Sequence, residues 1–241
     1  TGENGSLYQP VYGTDDDLVL YLPFSRGGNT TSGEANANSN VSVYDRSPYG
    51  NDGQCYGANT ADGCNWTTGK YGYALFFEGN DSYVDLGDKS SLESMTALTI
   101  EAWIKTSGYS SAKETGIVTK WWTSQVSYAL RTSTTTAGAI RFSTSTDADT
   151  QVNSDSTSTV NDGGWHHVVG TYDGANQRVY IDGVLEDTDA QTETIENSQE
   201  RVIIGAFDNT VSGVAGAFFN GSIDEVRVYS RALAPEEIRT H

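Results

Sequence analysis

The feature that most constrains this chain is its punctuation: apolar residues recur at every second position in short runs, and Gly, Asp or Asn closes many of them. In DLVLYLPF (17–24), Leu18, Leu20 and Leu22 alternate against Val19 and Tyr21, the period of a strand with one face in a core. Comparable runs predict strands over 54–57, 73–77, 83–86, 98–105, 116–120, 127–132, 139–143, 165–172, 178–181, 184–187, 201–207 and 221–229. The polar tract 143–158 reads as an exposed ribbon or loop. About twelve short strands joined by Asp-Gly and Asn-Gly turns make an antiparallel sandwich. Parallel sheets carried by helices are excluded, because no stretch between strands has a long helical period. The clearest hairpin is QRVYIDGVL: Val179 and Ile181 share one face, Arg178 and Tyr180 the other, and Asp182-Gly183 turns the chain. One helical turn or two is expected after Ala234, where Pro235 suits a first helical position and Glu236 and Glu237 sit near the positive end.

At 241 residues with 36% hydrophobic content, the chain suits one sizeable sandwich. The expected division is an N-terminal extension over 1–16 and one all-β domain over 17–241, with a long apolar-poor loop at 26–40. Thirty-two acidic against 14 basic residues give a net charge of −18. Such a surface repels phosphate backbones and anionic bilayers, so no nucleic-acid partner is expected, and an acidic chain welcomes cations. No run of apolar residues is long enough for a membrane span and the start lacks a basic-then-apolar profile, so neither membrane insertion nor a retained signal peptide is expected.

The two cysteines, Cys55 and Cys64, stand in QCYGANTADGCNW. Their spacing is compatible with a small disulfide-closed loop and too wide and too poor in His for a zinc knuckle. A disulfide places the protein outside the cytosol, secreted or at the cell surface; the alternative is a pair of free thiols.

DRSPYGNDGQ (45–54), ALFFEGNDSYVDLG (74–87), ALTIEAWIK (97–105), GWHHVVGTYDGANQRVYIDGVL (164–185) and GSIDEVRVYSRALAPEEI (221–238) follow one another in an order that resembles the laminin-G-like, concanavalin A-like lectin/glucanase superfamily, in the branch related to pentraxins. The resemblance spans roughly 17–239 and implies an antiparallel two-sheet jellyroll with ligand sites on a concave face or on rim loops. It also implies a structural calcium tying the early loop to the last strand, which nominates Asp45 and Asp224, with Asn51, Asp52 and the neighbourhood of Tyr49. A hard cation takes several oxygens, which Asp and Asn supply. Otherwise Asp45 is a turn-capping residue and Asp224 a strand-end acceptor.

Glucanases on this fold place alternating carboxylates on one strand, and their Glu-x-Asp-x-x-Glu pattern is absent. Asp224 and Glu225 are neighbours, and on a regular strand neighbours point to opposite faces. Glu101 has no acidic residue two positions away. His166 and His167 divide between core and solvent on strand alternation, and Trp103 and Trp165 alternate with apolar neighbours as core residues do. No nucleophile elbow or phosphate loop occurs. No catalytic residue is assigned.

Sugar sites combine an aromatic platform with polar groups that bond hydroxyls. Trp121 and Trp122, followed by Tyr128 and Arg131, are the leading cluster, with Trp66 and Tyr109 on the rim; core and rim packing is the competing assignment. The expected function is a non-catalytic, lectin-like carbohydrate-binding module of a secreted or surface protein, stabilised by calcium, with a polysaccharide or glycan as partner. An adhesive or structural domain with a surface-protein partner is the alternative, and a polysaccharide hydrolase or lyase ranks third.

Overall fold

The computed structural model describes residues 15–24, 43–57, 65–108, 114–122, 125–146, 150–207 and 216–241. The sequence up to residue 14 and the loop over 26–40 lie outside the described residues. In chain order the strands are β1 (Leu18–Leu22), β2 (Gln54–Tyr56), β3 (Trp66–Thr68), β4 (Tyr73–Glu78), β5 (Tyr83–Gly87), β6 (Leu98–Lys105), β7 (Gly116–Trp122) and β8 (Gln125–Thr132). They continue with β9 (Ile140–Ser145), β10 (Gln151–Asp155), β11 (Trp165–Tyr172), β12 (Asn176–Ile181), β13 (Val184–Ala190), β14 (Val202–Ile204) and β15 (Asn220–Tyr229), and end in one helical turn, α1 (Pro235–Ile238).

Every pairing is antiparallel, and the strands form two sheets. The eight-stranded sheet runs β13-β12-β11-β6-β15-β4-β3, with β1 added on β15; the seven-stranded sheet runs β10-β9-β8-β7-β14-β5-β2. This is the antiparallel jellyroll sandwich expected from the alternation. Among the described residues no helix is long and apolar enough to cross a membrane.

Strand alternation supplies the core. Leu98, Ile100, Ala102 and Ile104 of β6 face Val118, Leu130, Phe142 and Ile204 of the other sheet in one apolar cluster. The sheets approach closely at Gly170, where a Cβ would stand 2.2 Å from the Phe142 ring. The remaining β6 residues, Thr99, Glu101, Trp103 and Lys105, therefore point outward, and Trp103 is not the core residue its apolar neighbours suggested. Trp165 pairs with Lys105 at the strand end and is only half-buried.

The hairpin at 178–185 forms as expected. Asp182 (φ 50°) and Gly183 (φ 76°) both take the left-handed conformation that a two-residue turn requires. Tyr180 lands on the outer face with Leu18, Val169, Tyr229, Leu233 and Ile238, so α1 closes a second apolar cluster there. The helix starts at Pro235, and the Glu237 carboxylate accepts the Ala234 N–H at 2.8 Å.

The polar tract contains a strand that alternation did not reveal. On β10 the inward positions are Val152 and Ser154, and the buried Ser154 hydroxyl donates to Asp189 (2.7 Å) and accepts from Gln177 Nε2 (3.0 Å). This end of the sandwich interior is built from hydrogen bonds, not methyl groups.

Candidate functional site

The outer face of the seven-stranded sheet follows from its register. Val84, Ile204, Val118, Leu130 and Phe142 go to the core, so their neighbours in sequence go outward. One outward row crosses Gln54, Asp85, Ile203, Thr119, Ala129, Ser143 and Asn153. The adjacent row carries Tyr56 opposite Tyr83 at one end and Arg131, Arg141 and Asp155 at the other. The floor at Thr119, Ala129 and Ser143 is small-residued, which leaves room for long side chains to lie across it.

Two aromatic groups occupy this face. In the first, the Arg131 guanidinium lies 4.9 Å from the Trp121 ring centre and 5.2 Å from that of Phe207, and the two rings are 5.3 Å apart. Trp121 remains partly exposed above Phe207 and Arg131, which are buried. In the second, Tyr56 stacks on Tyr83 (5.0 Å, 13°), and Phe218 leans on the other side of Tyr83 at 6.3 Å. Ile203 and Ala206 pack with Tyr83 and Phe218, apart from the main core, and Tyr56 is 38% exposed at the sheet edge.

Polar groups flank the rings, and their charges are paired. Arg131 contacts Glu114 and donates to Ser143 Oγ (3.0 Å) and Asn153 Oδ1 (3.2 Å). Burial pulls the Arg131 guanidinium down to about 10, against the pull of Glu114, so it keeps its charge at neutral pH. Arg141 meets Asp155 at 2.7 Å and Glu114 at 3.2 Å. Hydrogen bonding to Asp155 raises Arg141; burial pushes Asp155 up, but its bonds to Arg141 outweigh that and hold it low. Arg201 holds Asp85 at 2.9 Å beside the tyrosine pair. The face presents rings, amides and hydroxyls, with each arginine matched to a carboxylate.

Of the residues nominated from sequence, the structure brings Trp121 and Arg131 together here. Tyr128 is corrected: it is 2% exposed, lies in the core on the inward side of β8, and donates its hydroxyl to the Leu92 carbonyl at 3.1 Å. It has no surface for a ligand. Trp66 lies on edge strand β3, half-buried against the core. Tyr109 and the side chain of Trp122 lie outside the described residues. Phe207, Phe218, Tyr83 and Tyr56 were missed, although Tyr83 and Tyr56 carried a signal: each is next in sequence to an inward residue, Val84 and Cys55.

The nominated calcium ligands are used differently. Asp45 Oδ1 accepts the Tyr21 and Ser47 N–H groups, both at 2.8 Å, and Oδ2 accepts Ser47 Oγ at 2.6 Å and the Asn51 N–H at 2.7 Å. Four donors fill the four lone-pair directions of that carboxylate. Asp52 accepts the Asp45 N–H (2.8 Å), and Asn51 Nδ2 donates to the Val19 carbonyl (2.7 Å). Asp224 serves another segment, accepting the Tyr71 N–H (3.0 Å) and the Glu225 N–H (2.8 Å). Burial pushes Asp224 up to about 7 despite these bonds. Among the described residues no three His, Cys, Asp or Glu side chains are placed to hold a metal ion. So arranged, Asp45, Asn51, Asp52 and Asp224 knit loops to strands and do not fit a calcium cage.

Acidic residues do gather on the outer face of the eight-stranded sheet. Glu225 takes a positive φ of 51° and the β15 register shifts between Asp224 and Arg227. This bulge lets Asp224, Glu225 and Arg227 all reach the outer side, which overturns the alternation argument for Asp224 and Glu225. All are engaged. Glu225 binds Tyr21 Oη (3.0 Å) and Arg227, while Glu101 holds Arg227 at 3.1 Å and His241 at 3.0 Å, with His167 at 3.5 Å. Burial pushes Glu101 up, but its bonds to His167 and His241 and the charge of Arg227 outweigh that and hold it far below the carboxylate range. His167 is buried on this outer face, stacked on Trp103 at 5.2 Å, and not in the core; His166 sits half-buried at the rim. Glu101 and Glu225 are charge partners of Arg227, with histidines on Glu101, and Asp224 accepts backbone N–H groups.

The family model described as Concanavalin A-like lectin/glucanases superfamily (Laminin_G_3) matches residues 78–239, more than half of the chain. Among solved structures, Domain 4 of AbnA, a GH43 extracellular arabinanase from Geobacillus stearothermophilus in complex with arabinotriose, is similar at 18% identity and TM-score 0.68, over 93% of this chain and 97% of that one. The binding domain of Paraclostridial Mosquitocidal Protein 1 is similar at 16% identity and TM-score 0.68, over 95% of this chain and 52% of that one. The botulinum neurotoxin serotype G binding domain follows at 13% and 0.65, over 92% and 50%. This chain thus spans about half the length of the toxin domains and nearly all of the arabinanase domain. At these identities the likeness shows the fold. No curated protein sequence matches.

Proposed function

The chain belongs to the concanavalin A-like lectin/glucanases superfamily, and from that premise we propose that it is a non-catalytic, lectin-like carbohydrate-binding module of a secreted or cell-surface protein. The observation that carries the reading is the outer face of the seven-stranded sheet, where Trp121 and the Tyr56–Tyr83–Phe218 group stand beside arginine, amide and hydroxyl groups. Rings stack on the apolar faces of sugars and the polar fringe bonds their hydroxyls, so binding needs no reacting group. The similar arabinanase domain, described in complex with arabinotriose, supports a saccharide ligand on this architecture.

Two accessory features belong to the proposal. Cys55 and Cys64 close a disulfide, in keeping with the absence of a free cysteine among the described residues; Cys64 itself lies outside them. Calcium, if it stabilises the chain, takes oxygens other than those of Asp45, whose lone pairs are filled.

The test is calorimetric titration of soluble neutral and acidic oligosaccharides, with product analysis of the same mixtures. Binding without cleavage is expected, and Trp121→Ala is expected to weaken it about tenfold, the loss of one stacked ring. Cleavage products, or full binding by the Trp121 variant, overturn the reading. The competing adhesive function rests on Val184 and Leu185, 60% and 51% exposed at the tip of the β12–β13 hairpin. Undiminished glycan binding by Val184→Ser/Leu185→Ser removes that patch from the account.

A further inference from the structure

We infer that the ligand is a neutral, unbranched saccharide chain that lies across the strands of the seven-stranded sheet, from Trp121 on β7 to Tyr56 on β2. This deepens the proposed function and rests on it.

The length follows from the sheet. In the order β7-β14-β5-β2, the strands that carry Trp121 and Tyr56 are three spacings apart, about 14 Å across the sheet, and Trp121 is also displaced along its strand from the Tyr56–Tyr83 rung, since Lys120 is level with Val202 and Gly87. That distance exceeds one sugar ring and suits a short chain of them. Aromatic side chains mark both ends: Trp121 stands over Phe207 on the β7 side, and Phe218, Tyr83 and Tyr56 continue in one row toward the β2 edge. Among the described residues β2 ends its sheet, so the row of rings ends at Tyr56.

The charge class follows from the ion pairs on the same face. Arg131 is matched by Glu114, Arg141 by Asp155 and Arg201 by Asp85. An anionic sugar would have to take an arginine from its carboxylate while approaching a chain of net charge −18. A neutral sugar needs no such exchange. It finds acceptors in the carboxylates of this face and mixed donors and acceptors in its amides and hydroxyls. The tyrosine end offers a further mixed edge, where Tyr56 Oη donates to Gln54 Oε1 at 3.0 Å.

The experiment is a calorimetric series of neutral arabino-, xylo- and cello-oligosaccharides from one to six units, with oligogalacturonides as the anionic set. Wild type is compared with Trp121→Ala, Tyr83→Ala and the surface variant Tyr56→Ser, each checked for folding by circular dichroism. For one neutral series, affinity is expected to rise with length and then level. Trp121→Ala and Tyr56→Ser should each cost about tenfold on the longest member, and Tyr56→Ser less on the shortest. Affinity independent of length, a loss with Trp121→Ala that Tyr56→Ser does not share, or tighter binding of oligogalacturonides overturns this inference and leaves the module reading standing. Failure of the folded wild type to bind any saccharide overturns the proposed function, and this inference with it.

Discussion

Tyr128 and Tyr83 lie on strands of the same sheet, and one step of alternation separates their fates. Tyr128 points inward and is spent on packing and on a bond to the Leu92 carbonyl; Tyr83 points outward and carries a ring group. Tyr128→Phe removes one buried hydroxyl and leaves one carbonyl short of a donor, which should cost about 1 kcal/mol of unfolding free energy and leave saccharide affinity unchanged. Reduced affinity at full stability would return Tyr128 to the site. His166 offers a second test at this scale. It bridges Asp182 at Nδ1 (2.8 Å) and Asp162 at Nε2 (3.1 Å). Burial draws the imidazole down, but the bonds and charges of Asp182 and Asp162 outweigh that and raise it above its ordinary 6.5. A raised group stabilises fully below its unfolded value and loses that contribution as pH climbs through the folded one. His166→Gln should therefore melt below wild type near pH 5.5, and the gap should close near pH 9. An equal gap at both would show that the bridge works without charge.

At the scale of elements, β10 and β13 show how this sandwich closes an edge. Each ends its own sheet, and the two are joined by carboxylates of β13 that accept donors from β10 and the turn after it. Asp189 accepts Ser154 Oγ at 2.7 Å, Asp187 accepts the Asp155 N–H at 3.0 Å, and Glu186 accepts the Ser158 N–H at 3.0 Å and Oγ at 2.8 Å. Burial pushes Glu186 up, but the Thr157 and Ser158 bonds outweigh it and hold the group below 4.5. A depressed carboxyl stabilises above its unfolded value and loses that contribution as pH falls through the folded one. The protection factor of the Ser158 amide, corrected for intrinsic exchange, should fall as pH drops through the carboxylate range, well before the β6 amides lose protection. Uniform loss of protection across both would show that the edge has no separate acid sensitivity. β10 was illegible in the sequence for the same reason: its buried residue is a serine held by Gln177 and Asp189, and Val152 is the single apolar residue of QVNSD, so no apolar period shows. The bulge on β15 was equally hidden, because a positive φ at Glu225 answers to pairing on both sides of that strand and leaves no mark on hydrophobic period.

For the whole molecule, the proposed disulfide and calcium give separable tests. A bond between cysteines with eight residues between them closes a short loop, whose loss on reduction should cost about 2–3 kcal/mol. Iodoacetamide should label neither cysteine until reductant is added; labelling of the native protein would establish free thiols. Chelation is the test for calcium: a fall in Tm with EDTA, reversed by added calcium, establishes a stabilising metal, and an unchanged Tm removes calcium from the proposal. The acidic surface bears on both readings. Salt should change neutral-saccharide affinity little, because the arginines on the binding face already have carboxylate partners.

The sequence by itself determined the class of fold, most strand positions, the β12–β13 hairpin and the closing helix, because each follows from the period of apolar residues or from turn and cap chemistry acting over a few neighbours. It also singled out Trp121 and Arg131, since aromatic and charged side chains are visible as residue types. Only the tertiary structure decided which aromatic rings share a surface. Trp121, Phe207, Phe218, Tyr83 and Tyr56 come from segments far apart in the chain, and sheet order and register bring them to one face. The same long-range pairing turned Trp103 outward, sent Tyr128 into the core, and spent the oxygens of Asp45 on backbone N–H groups. Those outcomes depend on what lies across the strand, and a linear pattern holds no record of it.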